Sequence, residues 1–186
     1  MAHPLFARLD RQLELVRREL ANAQEADRRF RALRRLEGAG KRSGLYHQWS
    51  HNASLADGAC AIYTGLESVL EAFGNEIDEY TPRGDSSHAA LVDGMAVAVK
   101  GVRPALLSEA TRELMHEARK FRHVVRHKYA LQLKRADVAK NLALAKKLVP
   151  AFERDYRRFA GLMLEDRPEG GADIPSPARR KRTKAA

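Results

Sequence analysis

Residues 59–80, ACAIYTGLESVLEAFGNEIDEY, place Ala59, Tyr63, Leu66, Leu70, Phe73, Ile77 and Tyr80 at alternating spacings of three and four. An α-helix turns about 100° per residue, so these side chains form one stripe and most of the acidic residues fall on other faces. A stripe of that length is buried against other elements. The same helix is expected to begin near residue 45, with Asn52, Ser54 and Gly58 as the points where its first half bends.

The pattern repeats on both sides. Leu9, Leu13, Val16, Leu20, Ala23, Phe30 and Leu33 describe a first helix from about 5 to 37, closed by GAGKRSG at 38–44. After the loop TPRGDSS (81–87), Ser86 or Ser87 caps a short helix through about Val99. Lys100 to Leu107, with Pro104, forms a second connection. Ser108 followed by Glu109 caps a helix that reaches about Leu131. A last helix, about 135–164, buries Val138, Leu142, Ala145, Val149, Phe152, Tyr156, Phe159 and Met163, and Pro150 is expected to kink it. Four long helices with short connections make an all-α, antiparallel four-helix bundle with a short extra helix.

Composition agrees with one helical domain over 1–165 and a basic tail over 166–186. The chain has 186 residues, 44% of them hydrophobic, 31% charged and 6% aromatic. The tail, RPEGGADIPSPARRKRTKAA after Asp166, is rich in proline, glycine and charge, a composition expected to be disordered. Its Arg179, Arg180, Lys181, Arg182 and Lys184 are five clustered positive charges in a chain of formal net charge +10. No apolar run approaches the roughly 20 residues of a membrane span, and MAHPLFARLDRQ lacks a secretory pattern. A single cysteine, Cys60, cannot form an internal disulfide and fits a cytoplasmic location.

The chemistry is concentrated in EARKFRHVVRHKYALQL, residues 117–133. Projection gives a core stripe of Leu114, Ala118, Phe121 and Val125, with Arg122 and Tyr129 at its edge and Arg126 further round. His116, His123 and His127 share the opposite face, flanked by Val124 and Leu131. Apolar residues beside histidines on that side suggest cover by a second subunit.

Arg122, four residues, His127, one residue, Tyr129 resembles the R-x4-H-x-Y motif of HepT toxins within the HEPN group of ribonucleases. FRHVVRHKYALQL would be the family's penultimate helix and CAIYTGLESVLEAF its second, so the resemblance covers roughly residues 5–160. His123 departs from it, since many relatives carry Asn after the arginine. The resemblance implies a HEPN-like bundle acting as a homodimeric, metal-independent ribonuclease toxin of a type VII-like system, with no cofactor. It also implies a minimal nucleotidyltransferase antitoxin (MntA-like) that transfers AMP to Tyr129. Arg122 and His127 carry over as catalytic, and His123 and Arg126 are added as substrate phosphate contacts from proximity and charge.

The residue types suit that chemistry. Cleavage through the RNA 2′-hydroxyl needs a base near neutral pH and a cation for the crowded phosphate, roles for imidazole and guanidinium. Five residues set Arg122 and His127 roughly 140° apart on an ideal helix, so arginine's length and a second subunit are expected to complete the site.

Other readings stand beside this one. His123 and His127 at i, i+4, with His116 on the same stripe, match metal-ligand spacing, but Val124 stands where HExxH has Glu. His47 and His51 repeat the spacing and read as surface or capping residues. Cys60 reads as a small buried residue and Trp49 as packing near the bend. A non-catalytic HEPN interaction module, binding RNA or nucleotide beside a nucleotidyltransferase, is the alternative function. A basic DNA-binding bundle lacks a helix-turn-helix signature.

Overall fold

The computed structural model describes residues 4–37, 43–84, 86–127 and 133–165. Its helices are α1 (Pro4–Glu37), α2 (Ser43–Glu76), α3 (Ser87–Met95), α4 (Glu109–His127) and α5 (Arg135–Glu165). No strand forms among the described residues; one isolated bridge joins Val99 to Arg103 in the α3–α4 connection. The long helices run alternately up and down. Gly65 of α2 meets Val16 of α1, Gly58 meets Ala23 and His51 stacks on Phe30, so α1 and α2 are antiparallel. Asp10 and Arg17 of α1 reach Tyr156 and Glu153 of α5.

The core is the sum of the apolar stripes. Phe73 packs edge-on to Phe159 at 4.9 Å and faces Phe6 and Tyr156 at 6.0 and 6.3 Å, joining α1, α2 and α5. Each such aromatic pair adds about 0.5–1.5 kcal/mol beyond the area it buries. Gly65 allows α1 and α2 to approach: a Cβ there would stand 2.6 Å from Val16 Cγ2.

Helix ends depart from expectation where tertiary contacts take over. α2 stops at Glu76 rather than 80, because Glu79 adopts a left-handed φ of 52° and the Tyr80 N–H closes back on the Gly74 carbonyl. Tyr80, expected in the stripe, is consequently exposed, as is Leu33 near the end of α1. α3 ends at Met95, not Val99, where the Leu106 and Leu107 amides donate to the Met95 carbonyl. Ser86 occupies the N-cap of α3, yet its side chain makes no capping bond. Arg103 fixes the connection that follows, its guanidinium forking onto both Asp78 carboxylate oxygens at 2.6 and 2.8 Å. α2 is helical throughout Ser43–Glu76, including the expected bend points, and α5 continues through Pro150. The expected basic tail, 166–186, lies outside the described residues.

Candidate functional site

α4 carries the motif, and its start is anchored. The Ser108 hydroxyl accepts the Thr111 N–H, while Asp155 of α5 accepts both the Ser108 N–H and its hydroxyl at 2.7 Å. Burial pushes the Asp155 carboxyl up, but hydrogen bonds from Thr111 and Ser108 and the charge of Arg158 outweigh it and leave the group below the usual carboxylate range. Thr111, Met115 and Phe121 turn inward and set the rotation of the helix. Arg126 and His127 fall in the last described turn, where cations complement the helix dipole.

That rotation lays the Arg122 guanidinium over the Tyr63 ring, 5.8 Å from its centroid. Tyr63 is fully buried, and its hydroxyl donates to Glu67 Oε1 at 2.7 Å. Burial, then the hydrogen bond to Glu67, push the phenol far up, so it stays a donor at any ordinary pH. The same Glu67 oxygen lies 2.7 Å from Nδ1 of His88 on α3. A buried carboxylate is costly unless its lone pairs are used. Here they are used by α2 itself and by α3, and the outcome is a fixed aromatic platform under Arg122.

Arg122 and Arg126 also line an open cleft of about 480 Å³ between α1, α2 and α4. Asp57, Cys60, Thr64 and Ser68 of α2 face it, with Gln12 of α1 opposite. Neither arginine makes an ion pair with any described residue, although Arg112 and Arg103 on neighbouring segments do. Cys60, expected to be buried, is instead half-buried on the cleft wall. Burial and Asp57 push its thiol up, and Arg122 and Arg126 pull it partly back.

The histidines sit on another side of α4. His123 and His127 are exposed, with ring centroids 4.2 Å apart. His127 Nδ1 lies 2.7 Å from the His123 carbonyl oxygen. A carbonyl only accepts, so Nδ1 carries the hydrogen, and in the neutral form of the ring the lone pair is on Nε2. No contact in the described chain joins His127 to Arg122, in keeping with their angular separation along the helix.

Other expectations are corrected by contacts from distant elements. His116 does not share an open face with His123 and His127, because α3 covers that turn and His116 Nε2 pairs with Asp93 Oδ1 at 2.8 Å. Val124 packs against the core and borders the α4–α5 groove instead of flanking the histidines. His51 is a buried residue, stacked on Phe30 at 3.9 Å and 3.4 Å from Asp27, not a surface one. Trp49 is 40% exposed. Among the described residues no group of three or more His, Cys, Asp or Glu is placed to hold a metal ion. Tyr129 and Leu131 lie outside the described residues.

Sequence reasoning missed the roles of Glu67 and His88. The available signal was Glu67 one helical turn after Tyr63 on a buried stripe, a place where a carboxylate needs partners. Nothing local indicated His88, which is 21 positions away.

A protein-family model described as HepT-like protein matches residues 54–163, spanning most of α2 and α5 and all of α3 and α4. No curated protein and no solved structure matches the chain.

Proposed function

The chain belongs to the HepT-like family, and from that premise we propose that it is a metal-independent ribonuclease toxin in which Arg122 and His127 act on RNA phosphodiesters. The observation that carries this reading is a pair of arginines that make no ion pair with any described residue, on the same helix as a histidine whose Nδ1 is engaged and whose Nε2 is left as a base. In such a site His127 Nε2 takes the proton of the 2′-hydroxyl, which attacks the adjacent phosphorus. The Arg122 fork, held on Tyr63, bears the extra charge of the crowded phosphate. The 5′ oxygen leaves and takes a proton from water to become a hydroxyl, the other fragment ends in a 2′,3′-cyclic phosphate, and His127 returns its proton to solvent.

Because Arg122 and His127 face different sides of α4 within one chain, the reading includes a second copy that brings its histidine to the arginine cleft. A strictly monomeric chain with full activity would remove that element. Control belongs to a nucleotidyltransferase antitoxin transferring AMP to Tyr129, which puts a bulky anion two positions along the sequence from His127 and three from Arg126. His123, its ring beside that of His127, and Arg126, on the cleft, serve as phosphate contacts.

The same separation of Arg122 from His127 favours, as a second reading, a HEPN module that binds RNA without cutting it. One experiment decides. Purified protein is incubated with total cellular RNA, with and without EDTA, beside the variants His127→Ala and Tyr129→Phe, and Tyr129 is checked for AMP by mass spectrometry. The nuclease reading expects cleavage that survives EDTA, persists in Tyr129→Phe and disappears in His127→Ala. An unmodified wild-type chain that binds RNA but leaves it intact supports the module.

A further inference from the structure

The arginine cleft holds more than a phosphate site. It is an open cleft of about 480 Å³, and Asp57, Thr64 and Ser68 bring polar groups to its wall on α2. Ala61 and Gly65 keep the wall low, and the Ser68 hydroxyl donates to the Thr64 carbonyl at 2.9 Å, leaving its oxygen free to accept. Among the described residues Asp57 is the one carboxylate lining the cleft; it is exposed and makes no ion pair with a described residue, even though Arg122 and Arg126 line the same space. A carboxylate repels a phosphodiester, so its place beside two phosphate-binding cations calls for a ligand group that donates hydrogen bonds. RNA differs from DNA by one such group per residue, the 2′-hydroxyl.

We propose that this cleft seats one ribonucleotide next to the cleaved bond, its phosphate on Arg122 and Arg126 and its 2′-hydroxyl on Asp57, which makes Asp57 the residue that selects RNA over DNA. The inference rests on the ribonuclease reading for the position of the cleaved bond, and Cys60 allows it to be tested separately. Cys60 is the only cysteine of the chain and lies on the cleft wall.

The experiment measures the rate of Cys60 alkylation by iodoacetamide in the full-length His127→Ala chain, by mass spectrometry. The probe is a short single-stranded RNA, compared with DNA of the same sequence. Anisotropy of the labelled strands gives binding independently. RNA at ten times its dissociation constant should slow alkylation about tenfold. DNA should need about tenfold more for the same protection, the cost of one hydrogen bond to a charged acceptor. Asp57→Asn should bring RNA and DNA together, and Arg126→Gln should weaken both alike. RNA that binds without slowing alkylation overturns the proposal, placing the contact elsewhere, for example on the basic residues of 179–184. Absence of RNA binding, or an RNA preference unchanged in Asp57→Asn, overturns it too. Wild-type cleavage without Cys60 protection removes the subsite and keeps the nuclease; protection without cleavage keeps the subsite and removes the nuclease.

Discussion

The two sides of α4 are held by different kinds of force. On the side facing α2, Arg122 rests on a buried tyrosine whose hydroxyl is fixed by Glu67, itself contacted by His88 from α3. On the outer side, His127 is oriented by its own backbone through the His123 carbonyl and is otherwise exposed. The guanidinium is therefore placed by tertiary packing and the imidazole by local helix geometry. Damage to the first should cost stability and activity together, whereas damage to the second should cost activity alone.

The largest expected effect tests the outer side. His127→Ala removes the proposed base and, on the nuclease reading, should lower kcat by about 10²–10⁴-fold. Its urea midpoint should stay within the roughly 0.5 kcal/mol typical of exposed substitutions. A large stability loss would show that the histidine side is also built into the fold. Glu67→Ala tests the inner side. It leaves the Tyr63 hydroxyl buried without its acceptor and should destabilise by about 1–3 kcal/mol, with a further loss of cleavage as the platform under Arg122 loosens. A Glu67→Ala chain as stable as wild type would break the comparison.

The same division explains what could be read in the sequence. The stripe Tyr63, Leu66, Leu70, Phe73 specified a buried helix because period alone carries that information, and Ser108 marked the start of α4. The roughly 140° between Arg122 and His127 was also legible, since it is a property of a single helix. What failed depended on partners far along the chain. Tyr80 left the stripe because of a left-handed residue at Glu79, and His116 was claimed by Asp93 of α3. Cys60 proved to line a cleft that Gln12 of α1 and Arg122 and Arg126 of α4 complete. A helical wheel gives a residue's angle but not which helix stands opposite it.

Gly65→Ala sharpens the comparison from the wall of the cleft. Its new methyl would meet Val16 Cγ2 at 2.6 Å, forcing α1 from α2 at a cost of about 1–3 kcal/mol. This substitution touches neither Arg122 nor His127. Cleavage at a temperature where the variant is fully folded should fall less than in Glu67→Ala, and RNA affinity should shift with the width of the cleft. Equal losses of cleavage in the two variants would mean that general loosening, not the Tyr63 platform, governs Arg122.

The smallest expected effect concerns the other end of α4. Asp155 holds Ser108, and its folded pKa lies below the value of about 3.9 of an unfolded aspartate. A depressed carboxylate contributes stability that is fully present above the unfolded pKa and is lost as pH falls through the folded one. Asp155→Asn keeps an oxygen that accepts from Ser108 but removes the charge, so it should cost about 1 kcal/mol near neutral pH. The gap to wild type should close as pH drops below about 4, where the wild-type carboxyl is itself protonated. Urea midpoints at neutral and acid pH read this directly. A gap independent of pH would mean that Asp155 acts by shape rather than charge, and the start of α4 would then be held by packing, as Arg122 is on Tyr63.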